Sequence, residues 1–564
     1  MEGSSTIWPR QWVSRLWYSW QCPSQPLITN RFVATGYDTP YGPFARALQF
    51  LRLHLWEPSS ANVTCPSAMQ DGAACLLKRH LTSPKLASKL SEDERKVFED
   101  AFRRLTSRNP EVAWTSGQWM TERTGGSDVS LTETTAVLKT AEPSLLASKE
   151  GEIPLGPWSI NGFKWFSSAT DSNMTVLLAK TPKGGLSAFL APMRRHDPLA
   201  TTAIGLPKPN GQRLNGVRIQ RLKNKHGTQS LPTAELVLED MRGWLIGEEG
   251  KGIQEIATIL TLTRVHSAVA AVAAVGRSLG IARAYARVRE VGAGRRARMR
   301  LIDSPLHMRT LSRITAEYHS LMLLTFFSSY VLGVSENSSQ APQGISPSLA
   351  ALTPDGPLAL PLIRVLSQLV KAYVCKPSVS LVFSCMESLG GVGYLNNEEQ
   401  EYLNISRMYR DTAVLPIWEG TTDVLSTDFI RALKHPAAGK TCVMSLDQFV
   451  SKAANLSGKV DRPAGWAPVE KWREVKNYLE AKSQEELMGE ARDLLWKVGD
   501  IVVSLLLYVD AVSDSDPTAQ EIFTRFVEDK FHLDKRQRQD PKEELRRDLA
   551  IVYGSTGSEV SPKL

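Results

Sequence analysis

Metal-ligand signatures are missing from this sequence of 564 residues: no HEXXH occurs, the nine His residues do not cluster, and the six Cys residues are spread thinly. Cys65 and Cys75, like Cys375 and Cys385, are ten apart, a spacing that fits no zinc site. So few Cys in so long a chain read as reduced core thiols of an intracellular protein. Long apolar runs are also lacking, and no uninterrupted stretch approaches the roughly 20 residues needed to cross a bilayer. The Ala-rich "VHSAVAAVAAVGRSLGIA" (265–282) includes His266 and Arg277 and reads as a buried bundle helix. Acidic residues are absent between Glu2 and Asp38, and residues 1–30 are rich in Trp, Ser and Arg, as in an amphipathic transit segment. The chain ends Ser-Pro-Lys-Leu, near a peroxisomal Ser-Lys-Leu address but interrupted by Pro562. A cytoplasmic setting is the expectation, with mitochondrial and peroxisomal delivery as its competitors.

What is present describes a soluble globular chain of more than one domain, with 42% hydrophobic residues, 22% charged residues and a mean hydropathy of −0.20. Net charge is +8, which invites a nucleic-acid reading. The distribution argues against it. Residues 441–564 hold 18 basic against 22 acidic residues, a net −4, so the tail is acidic. The densest basic patch, "RAYARVREVGAGRRARMR" (283–300), has seven Arg and one Glu. Such a cluster serves a coenzyme phosphate as readily as DNA, or is simply a solvated helix end.

The pattern along the chain predicts an α+β fold. Residues 1–30 are an unassigned tail. Residues 31–117 form an N-terminal helical domain with "FARALQFLRLHL" and "SEDERKVFEDAFRRL" as clear helices, the second opened by Ser91. Residues 118–247 alternate or favour β-formers and make a central β-domain. Helical periodicity returns over 248–436 as a C-terminal bundle, interrupted by a Ser-, Pro- and Gly-rich flexible insertion at 334–357. Residues 437–564 form a helical extension.

Four stretches carry candidate chemistry. In "GQWMTERTGGSDVS" (117–130), Gly125 and Gly126 allow close backbone approach while Thr121, Ser127 and nearby amides supply donors. In "INGFKWFSSATDSN" (160–173), an aromatic pair precedes two hydroxyls, suited to walling a flat ring or to filling a core. "MESLGGVGYLNN" (386–397) runs a helix into a glycine turn, either a C-cap or a pyrophosphate approach. "LPIWEGTTDVL" (415–425) sets Glu419 among apolar neighbours, with no Lys or His within five residues. An acid so placed should drift towards a higher pKa. It is either a helix-start cap or a base poised for proton abstraction.

In this order and on these elements, the four stretches resemble the acyl-CoA dehydrogenase superfamily over about residues 31–435. "CPSAMQDGA", "WMTERTGGSDV", "GFKWFSSA", "RLKNKHGTQS", "GWLIGEEGKGI" and "PIWEGTTDVL" are similar to its AidB-like (adaptive-response) branch. The resemblance implies an FAD enzyme with a shortened N-terminal helical domain, a β-domain and a helical bundle, working as a homodimer or homotetramer. It places Trp119, Met120, Thr121, Gly126 and Ser127 on a first flavin segment, with Ser127 also near the acyl chain's coenzyme. Phe166, Ser167 and Ser168 fall on a second. Glu387, Gly390 and Gly391 fall on a turn that meets the FAD of a neighbouring subunit, and Thr421, Thr422 and Asp423 on further flavin contacts. Arg264 corresponds to an arginine opening the long bundle helix near substrate, and Gly420 lets substrate approach.

Glu419 corresponds to the base that removes the α-proton of an acyl-CoA or other acyl thioester while the β-hydride passes to flavin. The base's backbone amide and a ribityl hydroxyl of FAD would hold the thioester oxygen. Electron-transfer flavoprotein or oxygen would accept the electrons. Ala297 and Arg298 stand where the family carries Phe-Gly, leaving Arg295 or Arg296 to reach pyrophosphate. Two alternatives follow from the branch: a DNA-protecting flavoprotein with weak dehydrogenase activity, disfavoured by the acidic tail, and a tailoring oxidoreductase on a specialised thioester.

Overall fold

The computed structural model describes residues 32–60, 62, 64–139, 153–202, 204–208, 211–294, 297–338, 340, 342, 344–396, 404–456, 466–514, 516–533 and 540–554. The expectations for residues 1–30, for the terminal Ser-Pro-Lys-Leu and for Arg295 and Arg296 lie outside the described residues. Two compact units emerge: Met1–Asp38 with Ser60–Thr263, and Thr39–Ser59 with Arg264–Leu564. Helix α1 (Ala45–Trp56) therefore belongs with the second unit, not with a helical domain over 31–117 as the periodicity implied. The reason is long-range pairing. Buried Arg46 makes a two-pronged ion pair with Glu336 (2.7 and 3.0 Å), Phe44 packs on Tyr330, and Phe50 packs edge-on against His266.

In the first unit, helix α2 (Thr64–Thr82) packs with α3 (Glu92–Leu105). Helix α3 begins at Ser91, whose hydroxyl accepts from the Glu94 amide while the Glu94 carboxylate accepts from the Ser91 amide. Its apolar stripe of Val97, Phe98, Ala101 and Leu105 faces the core.

A seven-stranded sheet follows, made of β1 (Ser116–Trp119), β2 (Thr135–Leu138), β3 (Trp158–Ser168), β4 (Met174–Lys180), β5 (Leu186–Pro192), β6 (Val217–Leu222) and β7 (Thr233–Ile246). Pairing runs β1-β4-β2-β3-β7-β5, β5 also pairs with β4, and β6 lies beside β7. Strand β4 reads as a continuous apolar run because both its faces are buried. Val176 and Leu178 join the core shared with α2 and α3, while Leu177 and Ala179 join Trp119 and Phe189 in a second core. Burying Val176, Leu177 and Leu178 contributes about 1.5–3 kcal/mol each.

Strand β3 is bulged where the site lies. Lys164 pairs with Leu236 and Ser167 with Ala234, so Trp165 and Phe166 together oppose one residue of β7. The Trp165 amide donates instead to the Thr121 carbonyl at 3.0 Å. The bulge thereby ties the second motif to the first.

Helix α4 (Gly252–Val288) runs on from the first unit's sequence into the second. The second unit adds α5 (Pro305–Glu336), α6 (Pro347–Leu352), α7 (Gly356–Ser388), α8 (Ile405–Thr412) and α9 (Thr422–Leu433). The extension contributes α10 (Gly439–Ala454), α11 (Ala467–Ala481), α12 (Ala491–Asp514), α13 (Pro517–Lys530) and α14 (Pro541–Tyr553). A Cβ on Gly499 would lie 2.3 Å from the Tyr373 ring, and Tyr373 donates to Asp500 at 2.6 Å, so α12 is packed into the bundle against α7.

Within 334–357, expected as a flexible insertion, several described residues belong to helices or are held by a neighbouring helix. Helix α5 continues to Glu336, Ser346 caps α6, and Thr353 and Asp355 are held by Lys452 of α10 at 2.7 and 2.9 Å. Helices α4 and α7 are also apolar and long enough to cross a membrane, which counting uninterrupted runs did not reveal. Burial accounts for their hydropathy: 72% and 83% of their most apolar windows lie inside the protein. Among the described residues, Cys375, Cys385 and Cys442 are buried free thiols.

Candidate active site

Glu419 sits on the turn between α8 and α9 with φ of 55°, and Gly420 follows at 102°. A non-glycine residue in the left-handed region costs about 1–2 kcal/mol and persists only where its surroundings hold it. It is not the helix cap. That role falls to Thr421, whose hydroxyl accepts from the Val424 amide. Half-buried Glu419 is held from two helices. The Trp418 indole donates to the Ser267 hydroxyl (3.1 Å), which donates to Glu419 Oε2 (3.1 Å). The Arg264 Nε donates to the Glu419 carbonyl (3.4 Å), and the Lys371 ammonium to the Gly420 carbonyl (2.5 Å).

This corrects the sequence picture of a lone acid in apolar surroundings. Two buried cations stand beside it, drawn from positions 155 and 48 residues away. Burial pushes the Lys371 ammonium down to about 8, with Cys375 and Glu419 opposing, and burial pushes the Cys375 thiol up to about 12. Arg264 lies well inside α4 rather than opening it, one helical turn before Ser267. Its guanidinium pairs with Asp428 of α9 at 3.1 Å. Arg364 and Gln368 also donate to Asp428, at 3.0–3.2 Å. Burial would raise the Asp428 carboxyl, but Arg364 and Arg264 outweigh it and hold the group below the usual carboxylate range.

Sequence reasoning missed Ser267, Arg364, Gln368, Lys371 and Asp428. A signal existed for three of them. Arg364, Gln368 and Lys371 recur at i, i+4 and i+7 on the otherwise apolar α7, marking a polar face turned to one partner.

Of the flavin contacts expected after the base, Thr422 is buried and Asp423 is exposed and paired with Arg492 at 2.7 Å. Glu387 is exposed at the end of α7, and Gly390 turns the chain with φ of 65°. Among the described residues, a Cβ on Gly390 or Gly391 would meet nothing within 4 Å. The turn begins where α7 ends, roughly 26 Å along the helix from Lys371 at 1.5 Å per residue.

In the first unit the two β-domain motifs do meet, with a division of labour that the sequence did not show. Phe166 and Ser168 share one face of β3: Phe166 is 43% exposed, and the Ser168 hydroxyl bonds that of Thr233 at 2.9 Å. Ser167 points to the opposite, fully buried face. Trp119, expected as a flavin contact, is also fully buried. Its indole donates to the Ser168 carbonyl at 3.1 Å, making it a strut between β1 and β3. Met120 packs against the core shared with α2 and α3, and Thr121 accepts from Trp165. Gly126 and Ser127 are exposed. A Cβ on the neighbouring Gly125 would overlap the Asp128 carbonyl at 1.9 Å, so that glycine serves the turn itself.

Beneath these motifs lies an ion pair that sequence reasoning also passed over. Fully buried Lys164 meets Glu122 at 2.6 Å and donates to the Leu178 carbonyl at 2.8 Å. Burial opposes ionisation of Glu122, but Lys164, the Thr134 hydroxyl and the Glu133 amide hold its carboxyl low.

Helices, a β-domain and a long-helix bundle carrying an anchored carboxylate define the class: an α+β protein with a candidate acid–base centre in its bundle. The description "Acyl-CoA dehydrogenase, middle domain" matches residues 117–241, and "Acyl-CoA dehydrogenase, C-terminal domain" matches residues 347–434. Acyl-CoA dehydrogenase family member 11 of Caenorhabditis elegans is 31% identical over 559 residues, covering 95% of this chain and 80% of that protein. The putative acyl-CoA dehydrogenase AidB of Escherichia coli is 28% identical, covering 74% and 66% respectively. The solved structure of C. elegans ACDH-11 in complex with C11-CoA superposes with a TM-score of 0.73 at 28% identity, covering 96% of this chain and 84% of that one. The chain belongs to the acyl-CoA dehydrogenase family, oxidoreductases whose cofactor is FAD.

Proposed function

We propose that this protein oxidises an acyl-CoA thioester at its α and β carbons, with Glu419 as the base that takes the α-proton. The observation that carries the reading is Glu419 itself: held in a left-handed turn, released from capping by Thr421, and hydrogen-bonded at one carboxylate oxygen by Ser267. The relative solved with C11-CoA supports a fatty acyl-CoA as the substrate class.

The residues fit FAD. Phe166 offers an exposed aromatic face with the Ser168 hydroxyl on the same side of the strand, and the exposed Gly126–Ser127 turn lies in the motif joined to it. Bound FAD supplies the acceptor for the β-hydride. This chain's residues do the rest. Ser267 holds the Glu419 carboxylate, and Arg264 and Lys371 hold the backbone carrying it. The Glu419 backbone amide donates to the thioester oxygen, and Gly420, lacking a side chain, lets the α-carbon come close. Gly390 and Gly391 are exposed, as a homo-oligomer in which this turn serves a partner's cofactor requires.

The test is Glu419→Gln in the flavin-loaded protein. Yellow flavin stays bound, and bleaching on anaerobic addition of C8–C16 acyl-CoA is lost. Bleaching at the unmodified rate removes Glu419 from the role.

A further inference from the structure

Two consecutive carbonyls of the Glu419 turn are each gripped by a buried cation from a different helix. Arg264 of α4 takes the Glu419 carbonyl and Lys371 of α7 takes that of Gly420. The two cations differ in kind. Arg264 has its own carboxylate partner in Asp428, whereas Lys371, also fully buried, donates to a neutral carbonyl and makes no ion pair among the described residues. A buried ammonium without a carboxylate partner is expensive unless a negative charge lies nearby. Beside the Cys375 thiol, the carboxylate whose charge acts on it is Glu419, on the very turn that Lys371 holds.

We infer that Lys371 is a positioning residue for the base: its bond to the Gly420 carbonyl fixes the left-handed turn, and its positive charge keeps the Glu419 carboxylate ionised before proton abstraction. The inference rests on reading Glu419 as the base. Because a peptide carbonyl and the following amide point in opposite directions, drawing two carbonyls towards α4 and α7 turns the amides of Gly420 and Thr421 the other way. The groups that feel the Glu419 charge among the described residues include Arg264 from α4 and Lys371 from α7, with the Cys375 thiol also on α7. Beyond Arg264, Asp428 of α9 is shared with Arg364 of α7. Arg264 is thus largely satisfied by Asp428, which leaves Lys371 as the cation with charge to spare.

The experiment compares wild type, Lys371→Met, Lys371→Gln and Glu419→Gln as flavin-loaded proteins. It reads the anaerobic bleaching rate with saturating acyl-CoA from pH 5.5 to 9, beside acyl-CoA affinity. Removing a neighbouring cation makes the ionised base less favourable, so the acid limb moves to higher pH. The expected shift is about one unit, the lower end for loss of an opposite charge near a carboxylate. Lys371→Met lowers the rate at pH 7 by 10- to 100-fold, with affinity changed less than about 3-fold and partial recovery at pH 9. Lys371→Gln keeps an N–H donor but not the charge; it shows the same limb shift with a smaller loss, and decides the matter if the Met variant does not fold. A wild-type acid limb in either folded variant overturns the inference, as does a loss equal at every pH. Normal bleaching by Glu419→Gln instead overturns the reading of the base, so the two failures are distinct.

Discussion

Ser267→Ala tests the site at one atom. The Ser267 hydroxyl donates to Glu419 Oε2 and accepts from the Trp418 indole, both at 3.1 Å. A hydrogen bond to a charged group contributes about 1.5–3 kcal/mol. Each 1.36 kcal/mol is one pH unit of titration, so losing it moves the acid limb of the bleaching rate up by roughly one to two units. The effect is pH-dependent in a definite direction. At pH 6–7 the carboxylate is less populated and turnover falls roughly 10- to 100-fold; at pH 8.5–9, with Glu419 ionised again, most of the rate returns, because a less stabilised carboxylate is a stronger base. The indole, left without this acceptor, costs a further 1–3 kcal/mol or so of stability. The assay is stopped-flow bleaching under anaerobic conditions across pH, with thermal unfolding alongside. A uniform loss at all pH values, or an unshifted limb with normal rate, refutes the role given to this hydroxyl.

Two further outcomes follow. Lys164→Met strands Glu122 as a buried carboxylate without its cation and should cost about 3–5 kcal/mol; the measurement is urea unfolding, with Lys164→Met/Glu122→Gln predicted to recover much of the loss. Asp428 sits below its unfolded value, so its pairs stabilise fully above about pH 4 and are lost as pH falls through the folded value. Asp428→Asn should therefore lower the melting temperature at pH 7 yet flatten its fall between pH 5 and 3. An acid-side slope equal to wild type's counts against this pairing. Asp428 is 24% exposed and Arg364 is 42% exposed, so screening keeps the effect at pH 7 below that of a fully buried pair.

By itself the sequence determined the local structure and the chemical kind of the protein. The Ser91–Glu94 box starts α3 where its residues require, and the alternating run 158–168 is a strand. The glycine turn after α7 and the carboxylate at 419 were visible because caps, period-2 patterns and short motifs depend on neighbours within a few residues. Tertiary structure decided the rest. Phe166, Ser167 and Trp119 all read as flavin contacts, and only the packed structure revealed that Ser167 and Trp119 are buried and Phe166 is exposed. Residues 39–59 looked like part of an N-terminal helical domain until Arg46 met Glu336, 290 positions away. Glu419 looked isolated because no cation is near it in the chain, yet folding delivers Arg264 and Lys371 to its turn. Charge environment depends on distance in space, through Coulomb's law and the loss of water, and a linear order of residues carries no record of either.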